Sequence, residues 1–348
     1  MLLLALGCSP SLQRSANPGS GDWPERAELD EIVLNEMGRS RIPGLAACTF
    51  EGGEVTWCQG YGLAEIEADR LATEDTPFLV ASVSKAVVAV AALEAGLELD
   101  EPAQLGFELS HPRSDADITP RMLGSHVSGV VDNWDVIEAE IVQGDSDLPL
   151  DEFLESYLVR GGARFDADLN WDERPEQAYE YSNIGAAALA LAVEVHRGQD
   201  FAEFCSAALF QPMELEHTSW HLATLSGEPA VPYTVSGGEF VPEGHYGFPD
   251  YPNGQLRTSA WDLSRLALAW GEDERLRERA WPGLDPDQGF GWYRWQLEGQ
   301  TVWGHNGGEV GVSAEIGVLG DGRGFVVLMN GEGRGDTLER IEAALLEL

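Results

Sequence analysis

Apolar residues recur along this chain with two different periods, and the changes of period outline its secondary structure. The first periodic segment predicts a helix to about Arg39 through four apolar positions: Leu29, Ile32, Val33 and Met37. Two apolar segments at 44–50 and 55–62 then flank a Gly-Gly pair, which predicts two antiparallel strands joined by a hairpin. Residues 82–97 are apolar and alanine-rich, which predicts a second helix.

The rest of the chain changes from helical patterns to strand patterns. Residues 101–172 are acidic and irregular with short helical pieces, and an apolar helix is predicted at 184–195. An amphipathic helix is predicted at 337–348. Strand patterns occupy four segments before it: 291–297, 301–304, 313–319 and 324–330. Strands are therefore predicted near both ends of the chain, with helices in the middle.

Length and charge exclude some classes of partner. A chain of 348 residues is long enough for one large domain or two lobes. Its 60 acidic and 21 basic residues give a formal net charge of −39, which repels polyanions. Binding to nucleic acid or to an anionic lipid surface is therefore not expected. No segment after the N-terminus approaches the roughly 18 to 20 apolar residues that span a bilayer.

Residues 1–22 resemble an export signal followed by a linker. A short apolar run ends at Gly7-Cys8, and a stretch rich in Ser, Pro and Gly follows. In bacterial lipoproteins such a cysteine becomes the lipidated first residue, although this chain lacks a basic n-region and its apolar run is short. We therefore expect an exported protein, periplasmic or anchored to the outer membrane through Cys8, or secreted.

The remaining cysteines do not indicate a metal site. Cys48 and Cys58 lie on the two predicted hairpin strands, and a disulfide forms between them if the register places them opposite each other. A register shift of one residue would leave two buried thiols instead. No cysteine pair has zinc-ligand spacing with histidines, so neither a metal nor another cofactor is expected.

The single lysine of the chain stands among twenty arginines. Lys85 follows Ser82 by three residues at the start of a predicted helix, so both side chains lie on one face of the first turn. A buried lysine can lose its proton and act as a base, whereas arginine stays charged. The helix N-terminus would stabilise negative charge that develops there. The alternative is a serine N-cap beside an exposed lysine.

A second polar cluster stands at the entry of the predicted helix 184–195. Tyr181 and Asn183 are two residues apart, so both can point from one turn. A tyrosine can relay a proton where a nearby lysine lowers its pKa, and an asparagine amide can orient a substrate. The alternative is an ordinary asparagine cap beside a packing tyrosine.

A third cluster lies between two predicted strands, where His305 is followed by Gly307 and Gly308. Glycines at this point allow the backbone to approach a ligand closely. The alternative is a hairpin with glycine turns and a surface histidine. A further histidine, His126, is interpreted as a structural residue in a turn beside the site.

Together the three clusters resemble the motifs of the serine β-lactamase and penicillin-binding-protein-like family, most closely its class C-related branch. The resemblance covers nearly the whole chain from about residue 24. It rests on the order and spacing of three motifs: Ser82-x-x-Lys85, Tyr181-x-Asn183 and His305-x-Gly307.

The resemblance implies an α+β fold of the β-lactamase/transpeptidase type. An antiparallel sheet flanked by the terminal helices would be joined to a mostly helical lobe, with the active site between them. Residues 23–348 would form one catalytic domain. Its α/β lobe would comprise 23–80 and 255–348, and its mostly helical lobe 81–254.

The resemblance also implies a role for each motif residue. Ser82 would be the nucleophile, Lys85 its base and Tyr181 a proton shuttle. Asn183, His305 and Gly307 would contact the substrate. The backbone N–H groups of Ser82 and Gly308 would form the oxyanion hole.

One departure from the family pattern bears on the substrate. Penicillin-active relatives usually carry a lysine where this chain has His305, and histidine is largely neutral at pH 7. A serine hydrolase of carboxylic esters or D-amino-acid-containing peptides is therefore expected. One alternative is a β-lactamase or D-alanyl-D-alanine carboxypeptidase; another is a non-catalytic module that binds peptidoglycan or protein. The expected partner is a small-molecule ester, a β-lactam-like compound or a short peptide.

Overall fold

The computed structural model describes Trp23 and residues 25–347. The N-terminal segment with Cys8 lies outside these residues. No helix in the part of the chain that the structure describes combines the length and apolarity needed to span a bilayer.

Helices and strands follow the predicted order, with some shifted boundaries. The helices are α1 (Ala27–Ser40), α2 (Val83–Glu94), α3 (Pro120–Gly124), α4 (Trp134–Ala139), α5 (Leu150–Leu158), α6 (Asn183–Arg197), α7 (Phe201–Cys205), α8 (Ala260–Trp270), α9 (Glu274–Arg277) and α10 (Thr337–Leu346). The strands are β1 (Gly44–Glu51), β2 (Glu54–Glu65), β3 (Arg70–Leu71), β4 (Phe78–Leu79), β5 (Val142–Gln143), β6 (Tyr233–Ser236), β7 (Glu239–Pro242), β8 (Tyr246–Gly247), β9 (Arg257–Thr258), β10 (Tyr293–Leu297), β11 (Gln300–Glu309), β12 (Val312–Leu319) and β13 (Gly324–Met329).

Both ends of the described chain contribute to one seven-stranded antiparallel sheet. Its strand order is β10-β11-β12-β13-β1-β2-β3, so β13 from the C-terminal part pairs with β1 from the N-terminal part. The six remaining strands form three short two-stranded ribbons. This arrangement agrees with the α+β fold expected from the sequence.

The two faces of the sheet are covered by different helices, and alternating residues of each strand divide between them. Helices α1 and α10 cover one face. The core between these helices and the sheet contains Leu29, Val33, Met37, Leu45, Ala47, Trp57, Val327, Met329, Ile341 and Leu345. Helices α2 and α8 pack on the other face, and α6 packs against α2. Every residue of α2 from Val83 to Leu93 is buried. Helix α2, which follows Ser82, is thus enclosed between the sheet and α6.

Strand β11 is longer than the sequence pattern predicts. The pattern ends this strand at Gly304, with His305 in a connection, but the strand continues to Glu309. The pairing with β12 explains the extension, because it runs from Val302 opposite Leu319 to Glu309 opposite Val312. Strand β10 pairs only as far as Gly304. Beyond that residue, β11 has β12 as its one strand partner among the described residues.

The cysteines of the predicted hairpin form a disulfide. Cys48 and Cys58 are directly opposite in the register of β1 and β2, with Cα atoms 4.1 Å apart. Of the two alternatives left open by the sequence, the structure therefore contains the bonded one. Cys205 is free and buried.

Candidate active site

A strained turn places Ser82 in front of helix α2. Strand β4 ends at Leu79, and Ala81 adopts a positive φ of 47°, a conformation that costs a non-glycine residue about 1 kcal/mol. Ser82 occupies the N-cap position but its side chain makes no capping hydrogen bond. Ser84 ties the turn to the residue that precedes β9, because its hydroxyl accepts the N–H of Leu256 at 3.1 Å. The Ser82 hydroxyl is therefore available to other partners.

The principal partner of Ser82 is Lys85. The side-chain nitrogen Nζ of Lys85 lies 3.0 Å from Ser82 Oγ and donates to the carbonyl oxygen of Asn253 at 2.8 Å. Lys85 is 2% exposed, so the alternative of an exposed lysine beside a serine cap is wrong.

Burial changes the acidity of Lys85. It lowers the pKa of the Lys85 ammonium from 10.5 to about 7, against the opposing charges of Asp132, Glu309 and Asp250. The sequence-based expectation of a lowered pKa agrees with this value. A substantial fraction of Lys85 is therefore neutral at pH 7 and can accept a proton.

Tyr181 lies across the site from Lys85. Nζ of Lys85 is 5.0 Å from the centre of the Tyr181 ring, and the Tyr181 hydroxyl is hydrogen-bonded to Ser82. Burial raises the pKa of Tyr181, an effect that the hydrogen bond to Ser82 opposes. The sequence-based suggestion that a lysine lowers this pKa is therefore wrong, since desolvation outweighs the other effects. Tyr181 is protonated at neutral pH and can donate.

A carboxylate from another segment fixes the turn that carries Tyr181. Ser182 caps α6 by accepting the N–H of Gly185 at 2.8 Å, so the cap is not Asn183. Asp132 accepts hydrogen bonds from the N–H groups of Asn183 and Ile184 at 3.0 and 3.1 Å. It also accepts from the Ser182 hydroxyl at 3.1 Å. Asp132 thus neutralises the N-terminus of α6 and holds the turn in place.

Asn183 and His126 occupy the second layer around the nucleophile. Asn183 is 8% exposed in the first turn of α6 and is not among the residues that line the cleft. The ring of His126 lies 4.5 Å from that of Tyr181, and its Nδ1 accepts the N–H of Ser182 at 3.2 Å. Burial and the Lys85 charge lower the pKa of His126 well below its usual range. His126 is thus a neutral support in a turn beside the site, as expected from the sequence.

Strand β11 forms the wall opposite α2. At Gly307, a Cβ atom would lie 2.2 Å from the carbonyl oxygen of Val80 and 3.2 Å from the backbone nitrogen of Ser82. Only glycine allows β11 to approach the nucleophile this closely.

The orientation of β11 indicates which main-chain groups face the cleft. The N–H of Asn306 donates to the hydroxyl of Tyr293 at 3.1 Å, on the β10 side of the strand. Strand residues two apart point to the same side, so the N–H of Gly308 also lies on this side. Gly308 and Ser82 both line the cleft. Their N–H groups can therefore approach one developing oxyanion.

The cleft in front of Ser82 has a volume of about 420 Å³. It is lined by Ser82, Tyr179, Tyr181, Asp285, Asp287, Gln288, Tyr293, His305, Asn306 and Gly308. The structure thus brings the three sequence motifs together at one cleft. Within residues 25–347 no group of three or more His, Cys, Asp and Glu side chains is arranged to hold a metal ion.

Several residues around this cleft are not identified by the sequence motifs. Asn253 receives the Lys85 hydrogen bond and Asp132 anchors the Tyr181 turn, yet both come from irregular segments without a recognisable pattern. Tyr293 and Asp285 reach the cleft because β10 and its preceding loop fold beside β11. A detectable signal existed only for Tyr293, as one of several aromatic residues near the C-terminal strands.

Comparison with known proteins agrees with this architecture. A family model described as Beta-lactamase matches residues 29–348. Protein flp of Staphylococcus aureus (strain NCTC 8325 / PS 47) is 23% identical over 247 residues, covering 68% of this chain and 47% of flp. The chain thus spans about half the length of this relative.

Solved structures show the same fold. The octameric penicillin-binding protein homologue from Pyrococcus abyssi has a TM-score of 0.72 at 19% identity, covering 92% of this chain and 76% of its own. The D-amino acid amidase from Ochrobactrum anthropi SV3, complexed with D-phenylalanine, has a TM-score of 0.68 at 17% identity, covering 92% and 98%. With its three motifs assembled around one cleft, this chain belongs to the serine β-lactamase and penicillin-binding-protein-like family.

Proposed function

We propose that the protein is a serine hydrolase that acts through an acyl-enzyme on Ser82. The observation that carries this proposal is the 3.0 Å contact between Ser82 Oγ and a buried Lys85 whose pKa is about 7. A serine hydroxyl needs an adjacent base to become a nucleophile, and a neutral lysine amine supplies one.

The reaction follows from the positions of these groups. Neutral Lys85 takes the Ser82 proton as Oγ bonds to the substrate carbonyl carbon, and the N–H groups of Ser82 and Gly308 stabilise the oxyanion. The bond from the carbonyl carbon to the leaving oxygen or nitrogen then breaks, and protonated Tyr181 donates to the leaving atom. Tyr181 regains a proton from Lys85. Water then adds to the acyl carbon and gives a proton to the same groups. The bond from the acyl carbon to Oγ breaks, and that proton passes to Oγ, which releases the acid and regenerates Ser82.

We further propose carboxylic esters or D-amino-acid-containing peptides as the substrate class. Two of the similar solved structures involve D-amino acids: a D-amino acid amidase, and SurE with D-Leu. In this chain, burial and the Lys85 charge lower the pKa of His305 to about 3, so His305 is neutral at pH 7. A neutral residue at this position gives no fixed charge for a β-lactam carboxylate, which favours this class over a β-lactamase or D-alanyl-D-alanine carboxypeptidase.

Active-site labelling tests the proposal. We expect a fluorophosphonate to add once to the wild type and not to Ser82→Ala, measured by intact mass. Ser236→Ala, an exposed serine on β6, serves as the matched control and should label normally. Labelling that persists in Ser82→Ala would refute the acyl-enzyme.

A substrate panel of short-chain esters, D-peptides and a chromogenic cephalosporin then separates the alternatives. Turnover confined to esters and D-peptides supports the proposed class. Cephalosporin turnover or D-alanine release at comparable rates would favour the β-lactamase or carboxypeptidase alternative. Binding of peptidoglycan fragments without turnover of any member would indicate a non-catalytic module.

A further inference from the structure

The ionised side chains that line the cleft are acidic. Among its ten lining residues there are two carboxylates, Asp285 and Asp287, and no arginine or lysine. Gln288 also belongs to this wall, and its Oε1 accepts the hydroxyl of Tyr179 at 3.2 Å. On the wall formed by these three residues, a substrate therefore meets negative charge and hydrogen-bond acceptors.

His305 adds an acceptor where related enzymes carry a lysine. Nδ1 of His305 lies 2.5 Å from the carbonyl oxygen of Asn306. A carbonyl can only accept, so the Nδ1 atom carries the hydrogen. In the neutral ring the other nitrogen, Nε2, then has a lone pair and no hydrogen. His305 can thus receive a hydrogen bond through Nε2 but cannot attract a carboxylate.

Asp285 supplies a carboxylate held in a fixed orientation. Its Oδ1 accepts the N–H groups of Asp287 and Gln288 at 2.7 and 3.0 Å. No ion pair within residues 25–347 neutralises Asp285, whereas Asp287 is paired with Arg294 at 2.9 Å. Asp285 is therefore the carboxylate of this loop that has no direct ion-pair partner among the described residues; the Arg279 guanidinium binds the carbonyl oxygen of the neighbouring Pro286 at 3.0 Å.

Two aromatic rings that line the cleft lie beside His305. The ring centres of Tyr293 and Tyr181 lie 5.1 and 6.3 Å from that of His305. Aromatic faces attract ammonium groups and do not attract carboxylates. Acceptors, the Asp285 carboxylate and aromatic rings thus favour the same kind of substrate group.

We propose that the cleft selects substrates that carry a protonated amine and discriminates against those that carry a carboxylate. His305 and Asp285 are the specificity-determining residues. This inference rests on the proposed function, since it names the substrate class of the same Ser82 site.

Matched esters test the selection. One series of p-nitrophenyl esters carries an ammonium, an acetamide or a carboxylate at the end of the same acyl chain. A second series of aryl esters carries the same three groups on the leaving phenol. In at least one series we expect kcat/KM to be highest for the ammonium member, by about tenfold over the acetamide, and lowest for the carboxylate. One unit charge within several ångströms at a partly exposed site has an effect of this size.

Variants separate the local effect from the overall charge. Asp285→Asn should lower the ammonium preference about tenfold. Glu51→Gln changes the net charge equally at an exposed position in the β1–β2 hairpin, and should leave the preference unchanged. His305→Lys should shift the preference towards the carboxylate member. Because a buried lysine can disturb folding, the thermal unfolding of His305→Lys is compared with that of wild type. If His305→Lys does not fold, Asp285→Asn decides the test.

The outcomes distinguish this inference from the proposed function. Equal or faster turnover of the carboxylate member in both series, or equal effects of Asp285→Asn and Glu51→Gln, would overturn the selection while leaving an active serine hydrolase. If the wild type shows no fluorophosphonate labelling that depends on Ser82, the proposed function itself would instead be overturned.

Discussion

Lys85 donates a hydrogen bond to the carbonyl oxygen of Asn253, 2.8 Å from its side-chain nitrogen. Since that carbonyl can only accept, it binds one N–H of the lysine whether the lysine is charged or neutral. In the neutral amine this contact leaves the lone pair free to face Ser82. Asn253 is itself held by Asp250, whose carboxylate accepts the Asn253 side-chain N–H at 2.8 Å. The base is therefore oriented by a residue outside the three motifs.

The acylation rate should follow the deprotonation of Lys85. With a pKa of about 7, the neutral form increases from acid to neutral pH, so labelling of Ser82 should accelerate about tenfold per pH unit below pH 7 and level off above it. Fluorophosphonate labelling rates between pH 5 and 9 measure this. Lys85→Arg should lower the rate at least about a hundredfold, because arginine keeps its proton. A midpoint near pH 10, where an ordinary lysine titrates, would contradict the lowered pKa of Lys85 and its proposed role as a base at neutral pH.

Glu309→Gln should move the rise of the labelling rate with pH to lower pH. The Glu309 charge raises the pKa of Lys85, so removing it favours the neutral lysine. We expect a displacement of a few tenths to about one pH unit in the same labelling profile. Glu54→Gln changes an exposed residue in the β1–β2 hairpin, so it is the control and should leave the pH profile of labelling unchanged. A shift to higher pH would contradict the assigned electrostatics.

Gly307→Ala should separate β11 from the nucleophile. The added Cβ meets the backbone of Val80 at 2.2 Å, and backbone atoms can yield only by displacing the strand or the turn. We expect kcat/KM to fall at least about a hundredfold, since one misplaced oxyanion donor has this effect. Gly320→Ala, where a Cβ contacts nothing within 4 Å, should retain full activity. Unchanged kinetics in Gly307→Ala would show that β11 does not hold the oxyanion.

A buried carboxyl pair should make stability fall as pH rises. Glu315 on β12 and Glu342 on α10 are 7% and 2% exposed and hydrogen-bonded to each other, and burial raises the pKa of both. The folded state therefore binds more protons than the unfolded state above the usual pKa of 4.5, so its stability decreases as pH rises from there through the raised values.

Thermal and urea unfolding between pH 4 and 9 measure this effect. Glu342→Gln should flatten the decrease and stabilise the protein at alkaline pH by about 1.4 kcal/mol for each pKa unit removed. Glu347→Gln, exposed just beyond α10, should leave the profile as in wild type. An identical slope in Glu342→Gln and wild type would refute the contribution of the pair.

Local patterns predicted the elements well and their boundaries less well. Periodicity located α1, which buries a stripe of apolar residues on one face. The β1–β2 hairpin was predicted from two apolar segments around a Gly-Gly pair, and α2 from an apolar, alanine-rich segment that is buried almost throughout. The sequence pattern ended β11 too early at Gly304, since His305 and Asn306 are polar and glycines follow. Their place in the strand is set by pairing with β12, a tertiary contact that no local pattern contains.

The candidate site was predictable only where residues lie close together in sequence. Ser82 and Lys85 meet because they share one helical turn. Asp285 lines the cleft, whereas Asn253 contacts Lys85 and Asp132 anchors the turn that carries Tyr181. These three residues are distant in sequence from the motifs, and only the folded chain brings them there. The suggested lowering of the Tyr181 pKa is wrong for a related reason: the sequence shows a neighbouring lysine, but it does not show the desolvation in the folded site that raises this pKa.

Strand β10 stops pairing at Gly304, and this leaves the cleft-facing edge of β11 beyond it without a strand partner among the described residues. An extended peptide can add to such an edge as a short extra strand if it replaces the Tyr293 hydroxyl as the partner of the Asn306 N–H. The main-chain hydrogen bonds that it then forms are independent of its side chains. A simple ester has no N–H to contribute to this pairing. Turnover should therefore increase with the length of the peptide backbone on the side that lies along β11, even when every added residue is glycine.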